Sequence, residues 1–296
     1  MKYNEKNKPT ECIMHQSTCY KGTKEMKILG VLWHDTGCNN PNIKRYVQPD
    51  DNAPDREQLL ALIGVNLNKN DWNHTTRQAG VNAFVGKLAD GSISTVQTLP
   101  WNYRPWGCGK GKKGSCNDGW IQFEICEDNK KNKDYAEAVY KEACELTAYL
   151  CKLYGIDPNG TATLNGVKVP TILCHKDSAN LQLGGDHLDI YDWFPTYGLD
   201  MEKARKDVAA LLKEPEPTPE PSRPEDVPMR TIKKGSIGQA VKIWQVIVSA
   251  TDDGLFGPAT EKRTIAFQKK VFPNQPKEWD GVVGPKTWTK GLESVN

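Results

Sequence analysis

The chain has 296 residues, of which 38% are hydrophobic and 26% are charged, a composition that excludes fibrous and wholly disordered proteins. This length favours two domains over one, and the formal net charge of +2 does not indicate a nucleic-acid-binding protein. No apolar run approaches the roughly 18 residues of a membrane span, so we expect no membrane insertion. The first twenty residues lack the apolar stretch of a secretory signal peptide, which predicts synthesis in the cytoplasm without Sec export.

Strand patterns come first along the chain. Residues 26–33 (MKILGVLW) have the pattern of a buried strand, and residues 83–99 have that of a hairpin turning at Asp90-Gly91. Residues 120–126 (WIQFEIC) alternate as in a further strand. We therefore expect a β-sheet in the first half of the chain.

Helical patterns then alternate with strands. The clearest helix covers residues 134–154, with a capping box formed by Asp134 and Glu137 and an end at Gly155. A short strand at 171–174 and an amphipathic helix at 200–212 follow. The pattern predicts an α/β domain in which helices flank a mixed central β-sheet.

A proline-rich segment separates this region from the C-terminal part. Residues 213–228 (KEPEPTPEPSRPEDVP) contain six prolines and five acidic residues, which favours an extended spacer. We predict a first domain at 1–212, a linker at 213–228 and a second domain at 229–296. The second domain has eleven Lys or Arg against six Asp or Glu, so it suits an anionic polymer.

The C-terminal region contains an internal repeat. Helical patterns cover residues 237–248, 259–271 and 286–292, and a D-G-x-x-G-P turn precedes each of the last two. The sequence predicts a small all-α domain of three helices.

Two histidines follow predicted strands. His34 comes after the apolar run that ends at Trp33, and His175 comes after residues 171–174. His187 and Asp189 lie two residues apart, so their side chains project the same way from an extended segment. Two histidines and one carboxylate with an open fourth position form a catalytic zinc set. Cys174 is a rival ligand, but as the neighbour of His175 on a strand it would face the opposite way.

One carboxylate lies within an apolar strand. Glu124 interrupts residues 120–126, where a charged group is costly unless it is functional or paired. The nine cysteines are an odd number without the spacing of a small disulfide framework, which favours reduced thiols. Closure of the short loops Cys12–Cys19 and Cys108–Cys116 outside the cell is the alternative.

Four segments occur in order between about residues 26 and 197: VLWHDTG, NAFVGKLADGSISTVQTLPWN, WIQFEICED and CHKD...GGDHLDIYDWFP. They resemble the type 2 N-acetylmuramoyl-L-alanine amidases, which include phage lysozyme-like amidases and peptidoglycan recognition proteins. Residues 230–292, with DGLFGPATEKRTIAFQ and DGVVGPKTW, resemble the peptidoglycan-binding domain 1 family. This modular order resembles endolysins of phages or prophages of Gram-positive bacteria.

The resemblance implies a site and a reaction. It places Zn²⁺ ligands at His34, His175 and Asp189 and a catalytic carboxylate at Glu124. His187 stands where many members carry a lysine and would stabilise the oxyanion. The expected reaction is hydrolysis of the amide between N-acetylmuramic acid and L-alanine. Three tryptophans are candidate faces for sugar rings, with burial in the core as the alternative: Trp101, Trp106 and Trp120.

Two other functions stay open. A peptidoglycan recognition protein would bind the wall without cutting it, but binding-only relatives typically lack a zinc ligand, and this chain has the full set. A zinc peptidase would cut within the stem peptide, which the segments around His34 and Asp189 argue against by resemblance. In each case peptidoglycan is the expected partner. The protein would reach it after release from the cell, by a holin or by lysis.

Overall fold

The computed structural model describes residues 1–213 and 231–294. The chain divides into two compact units, Met1–Glu216 and Pro217–Asn296. Apart from Lys213, the predicted linker at 213–228 lies outside the described residues, so the domain boundaries stay predictions. No helix in the described ranges is long and apolar enough to cross a membrane.

The first unit combines a central sheet with flanking helices. Its elements, in chain order, are β1 (Thr10–Glu11), α1 (Thr18–Gly22), β2 (Gly30–Asn39), α2 (Arg56–Ile63), β3 (Ala83–Lys87), β4 (Ile93–Gln97), β5 (Trp120–Glu127), α3 (Lys133–Tyr154), β6 (Thr161–Leu164), β7 (Val167–Pro170), β8 (Ile172–Cys174), α4 (His175–Asn180) and α5 (Met201–Lys213). This mixed α/β architecture confirms the predicted fold class for the first unit.

Six strands form the sheet in the order β1-β4-β3-β5-β2-β8. Only the β3–β4 hairpin is antiparallel, and the other neighbouring pairs in the sheet are parallel. The sheet is therefore mixed, as predicted. Strands β6 and β7 form a separate two-stranded hairpin.

The two faces of the sheet have different roles. One face packs against α3 and α5 through the largest apolar cluster, which includes Trp33 and Phe123. The indole N–H of Trp33 donates a hydrogen bond to Thr147 Oγ1 of α3 at 3.0 Å. Because side chains alternate along a strand, the neighbours His34 and Glu124 project from the other face. We call this second face the site face.

Three differences between the predicted and the observed elements bear on the site or on helix capping. Strand β2 begins at Gly30 rather than at residue 26 and continues to Asn39, so His34 lies inside the strand. Helix α3 is capped by Asn132, whose side chain accepts a hydrogen bond from Tyr135 N at 3.1 Å. The predicted capping box at Asp134 is therefore wrong, because that residue already lies in the first helical turn. The third difference is that His175 begins α4.

The second unit has an apolar core made by three helices in the described range 231–294: α6 (Gln239–Ile247), α7 (Pro258–Val271) and α8 (Pro285–Glu293). Trp244 of α6 meets Trp288 of α8 edge-on, with ring centroids 5.2 Å apart. Val241 and Phe256 are buried in the same cluster. This unit therefore has a hydrophobic core of its own.

The repeat seen in the sequence has a structural counterpart. The buried amide of Gln245 accepts a hydrogen bond from Gly254 N at 2.9 Å, and that of Gln268 accepts one from Gly281 N at 2.9 Å. Each amide also donates to the aspartate that begins the same turn, at 2.7 and 3.0 Å. Both D-G-x-x-G-P turns are thus held by the same internal contact.

Candidate metal centre

The sheet brings two histidines together. Strands β2 and β8 are parallel neighbours in which Trp33 pairs with Cys174, so the residues that follow, His34 within β2 and His175 at the start of α4, lie next to each other. Their imidazole centroids are 4.7 Å apart, with the rings nearly perpendicular. Asp189, from the loop before α5, completes the group. The three residues predicted as ligands therefore lie together.

The ligand atoms are close enough to share one ion. Nδ1 of His34 and Nδ1 of His175 lie 3.0 and 3.2 Å from Oδ2 of Asp189, and one ligand atom from each residue lies within 4.8 Å of the others. In a tetrahedral zinc site with bonds of about 2.0–2.2 Å, ligand atoms are about 3.3–3.6 Å apart. The group could hold such an ion with small adjustments.

Burial sets the charge of the group. Only 1% of His34 and 4% of His175 is exposed. Burial lowers the pKa of His175, although Asp189 opposes this, so the neutral ring that a metal needs is favoured. Burial acts to raise the pKa of Asp189, but its close contacts with the ring nitrogens of His175 and His34 hold that pKa below its usual range. The expected state is a carboxylate beside neutral imidazole.

Glu124 lies beside the ligands on the site face. It pairs in register with His34 across β2 and β5, so the two side chains are neighbours. Its Oε2 atom is buried and has no hydrogen-bond partner in the described part of the chain. Burial raises the pKa of Glu124, and the carboxylates of Asp189, Asp35 and Glu127 raise it further. An unpaired buried carboxyl beside a candidate metal site is suited to proton transfer.

His187 lies at the mouth of the site. Its side chain is 68% exposed, and its ring stacks on that of His175, with centroids 4.6 Å apart and an angle of 16° between the planes. Nδ1 of His187 is 3.8 Å from Oδ1 of Asp189. The structure thus places His187 beside the ligand group with a face and an edge open to solvent.

Sequence comparison identifies the family of the first unit. The sequence profile of the Amidase_2 family, described as N-acetylmuramoyl-L-alanine amidase, matches residues 24–189, more than half of the chain. The chain belongs to this family. The match confirms the amidase resemblance read from the four segments and identifies the protein as a hydrolase of the amidase type. No curated protein sequence matches the chain.

Solved structures resemble this amidase at low sequence identity. Staphylococcus aureus hydrolase AmiA in complex with its ligand is 17% identical over 69% of this chain and 83% of that chain, with a TM-score of 0.46. The catalytic domain of XlyA is 17% identical over 67% and 97% of the two chains, with a TM-score of 0.40. A mutant endolysin from Bacillus subtilis is 16% identical over 67% and 97%, with a TM-score of 0.39.

A hydrogen-bond chain in the amidase unit, Met1–Glu216, fixes the tautomer of His34. The backbone N–H of Cys108 donates to Oδ1 of Asn117 at 3.1 Å, which orients that amide. Nε2 of Gln122 donates to the same oxygen at 2.9 Å, so Oε1 of Gln122 is the atom that faces His34. Nε2 of His34 lies 2.9 Å from Oε1 and must carry the proton. Its Nδ1 atom therefore presents a lone pair to Asp189.

This arrangement fits a metal ion. A lone pair on Nδ1 of His34 that faces a carboxylate oxygen at 3.0 Å is repulsive, and a cation bound between the two atoms would remove this repulsion. Nδ1 of His175 approaches the same oxygen, Oδ2 of Asp189. Nε2 of His175 is buried and has no hydrogen-bond partner among the described residues. The backbone carbonyl of Cys108 lies beside the ring and acts to raise the pKa of His175. Two imidazoles and one carboxylate match the ligand preference of zinc.

Gly107 allows the chain to pass close over this group. A Cβ atom at Gly107 would overlap Oε1 of Gln122 and lie 3.1 Å from Nε2 of His34. Any side chain at this position would displace the histidine or its hydrogen-bond partner. The glycine therefore protects the geometry of the ligand.

An ion-pair group holds the loop that carries Asp189. Nζ of Lys130 lies 2.5 Å from Oδ2 of Asp192 and 3.2 Å from Oε2 of Glu127 at the end of β5. Asp35 lies in the same region, and its pKa is raised to about 9. Burial is the main cause, and the charges of Glu127 and Asp192 add to it. The lysine thus joins the Asp189 loop to the sheet.

The predicted sugar-stacking tryptophans have different environments. Trp120 is 0% exposed, and its indole N–H donates to the Pro170 carbonyl at 3.1 Å. Trp101 is 8% exposed and belongs to the main core. Neither indole offers a face to a sugar, so the prediction is wrong for these two. Trp106 is half-buried and stays a candidate.

The cysteines do not contribute ligands to this group. All nine carry free thiols, and Cys38 alone is exposed. Cys174 is buried in the cluster on the helix-covered face, away from the site face, as its position beside His175 predicted.

Proposed function

We propose that this amidase is a zinc-dependent N-acetylmuramoyl-L-alanine amidase that cuts the amide between the lactyl group of N-acetylmuramic acid and L-alanine. The observation that supports this best is the convergence of His34, His175 and Asp189, with the His34 tautomer fixed for metal binding. Glu124 beside this group supplies the carboxyl that amide hydrolysis needs.

Three atoms would hold the ion: Nδ1 of His34, Nδ1 of His175 and a carboxylate oxygen of Asp189. A bound zinc ion supplies Lewis acidity, which polarises the scissile carbonyl and acidifies water. Burial of both imidazoles excludes competing water from the ligand atoms, and burial of His175 lowers its pKa and favours its neutral ring.

Two residues handle protons and charge. The unpaired Oε2 atom of Glu124 accepts the proton of the attacking water and then delivers it to the leaving amine of L-alanine. His187, open to solvent above His175, donates an N–H to the oxygen that gains charge as the carbonyl carbon becomes tetrahedral.

The second unit would hold the protein on the wall. Its basic balance of residues from 229 onward and its repeated turns support a peptidoglycan-binding module of three helices, with residues 213–228 as the linker. We further propose that the protein is a phage or prophage endolysin that reaches the wall at lysis.

The test is digestion of purified cell walls by the full chain, followed by mass spectrometry of the released peptides. We expect peptides with a free amino-terminal alanine, activity lost on zinc removal and restored by added zinc, and no release by His175→Ala. New ends inside the stem peptide would instead indicate a zinc peptidase. Wall binding without any release would indicate a recognition protein.

A further inference from the structure

Arg77 lies at the border of the site face. Its guanidinium carbon is 4.7 Å from the ring centroid of Trp72, and Trp72 meets Phe84 edge-on with centroids 5.0 Å apart. Phe84 pairs in register with Glu124 across β3 and β5, so both side chains project from the site face. The rings of Trp72 and Phe84 therefore form a continuous row of contacts from Arg77 to Glu124.

The guanidinium has no fixed polar partner. Arg77 is exposed, and across residues 1–213 and 231–294 no hydrogen bond or ion pair to its N–H groups is present. The buried indole of Trp72 supports the cation from one side and limits its freedom. A planar group with five donors, held by stacking and otherwise unused, is prepared to bind an anion.

Arg45 offers a contrast on the same aromatic group. Its guanidinium lies 5.5 Å from the ring centroid of Tyr46, which stacks on Phe84 at 5.3 Å. Nη1 of Arg45, however, donates to the Asn70 carbonyl at 2.6 Å. Arg45 is thus engaged in the fold, whereas Arg77 is not.

Arg77 is close enough to Glu124 to act on it electrostatically, in the direction opposite to the neighbouring carboxyl groups. A cation at the border of the site therefore gives a substrate carboxylate a partner.

We propose that Arg77 binds a carboxylate of the stem peptide, namely the α-carboxylate of the D-glutamate that follows L-alanine. This inference rests on the proposed function, because it assumes that the bond before L-alanine is cut at the metal centre. The glycan is neutral at its hydroxyl and acetamido groups, so the stem peptide is the part of the substrate that matches a guanidinium. Replacing the carboxylate by an amide removes the charge and leaves the shape nearly unchanged.

The test compares two small substrates for the full-length zinc-loaded protein: N-acetylmuramoyl-L-alanyl-D-glutamate and N-acetylmuramoyl-L-alanyl-D-isoglutamine. We expect kcat/KM to be about 10- to 100-fold higher for the carboxylate form, the range for a hydrogen bond to a charged group. Arg77→Gln should lose this preference and leave cleavage of the amide form within about twofold. Arg45→Gln should keep the preference, because it alters an arginine on the same aromatic group without touching the substrate.

Equal rates on both compounds for the parent, or an equal loss on both in Arg77→Gln, would overturn the inference while the amidase function stands. If the parent cleaves neither compound, calorimetric dissociation constants for the same pairs decide it. Tighter binding of the carboxylate form that disappears in Arg77→Gln would support the inference, and equal binding would reject it. The proposed function is tested separately: it fails if digests of cell walls contain no peptides with a free amino-terminal alanine.

Discussion

Replacement of Gln122 by leucine tests the fixed tautomer of His34. The side chain is fully buried, and the change removes its contacts to His34 and Asn117, both at 2.9 Å. Without the Oε1 acceptor, the imidazole proton can move to Nδ1 and donate to Asp189. A metal ion would then have to displace that proton before it binds.

The substitution should lower both the zinc affinity and the stability of the protein. Loss of a partner that orients a metal-binding histidine lowers metal affinity roughly 10- to 100-fold. This corresponds to about 1.4–2.7 kcal/mol of binding free energy. The buried groups left without partners should also lower the free energy of unfolding of the zinc-free protein by about 1–3 kcal/mol.

The assay is competition for zinc with a chromophoric chelator, in a Cys38→Ser background because Cys38 is the exposed thiol. Gln48→Leu is the matched control. Gln48 is also buried, and its amide donates to Gly64 O at 2.9 Å and accepts from Asn66 N at 3.0 Å. Gln48→Leu should lose stability but keep zinc affinity. If Gln122→Leu binds zinc as tightly as the parent, the tautomer argument is refuted.

Three further predictions concern the site and the modules. His34→Ala and His175→Ala should abolish bound zinc and wall lysis, and stoichiometric zinc with full activity in both would contradict the ligand assignment. Glu124→Gln should keep zinc and fold but lower turnover roughly 100-fold or more; a rate near the parent's would make this carboxyl structural. A chain ending at Leu212 should cleave small muropeptides at nearly the full-length rate but act more weakly on cell walls. Binding of the full chain to cell walls should weaken as the salt concentration rises. Equal losses on both substrates would mean that the second unit completes the active site.

The strands were predictable because their signals are local, and apolar runs located β2, β5 and β8. The ligand set was predicted from the resemblance to the type 2 amidases, because its residues come from distant parts of the chain. Strand alternation places His34 and Glu124 on one face only once the register of β2 and β5 is known. The helix α3 and its end at Gly155, where φ is 64°, followed from the same kind of local pattern.

The remaining features depend on contacts between distant segments. Alternation puts Gln122 on the same face as Glu124, but its role depends on Asn117, which the strand pattern does not describe. Trp120 begins a strand, and the strand pattern alone does not show whether its indole faces solvent. In the fold the indole N–H donates to the carbonyl of Pro170 in β7, a contact between distant segments. Arg77 lies in an irregular segment without periodicity, so only the ring contacts reveal its position.

The short edge strands of the amidase sheet have a consequence for self-association. Strand β1 pairs with β4 over two residues, and β8 pairs with β2 over three, so each edge strand is itself too short to present a long row of free backbone groups. Long, flat edges are templates for intermolecular strand pairing, and short ones offer little to a second copy. Many amidase units crowded together should therefore resist joining edge to edge into aggregates.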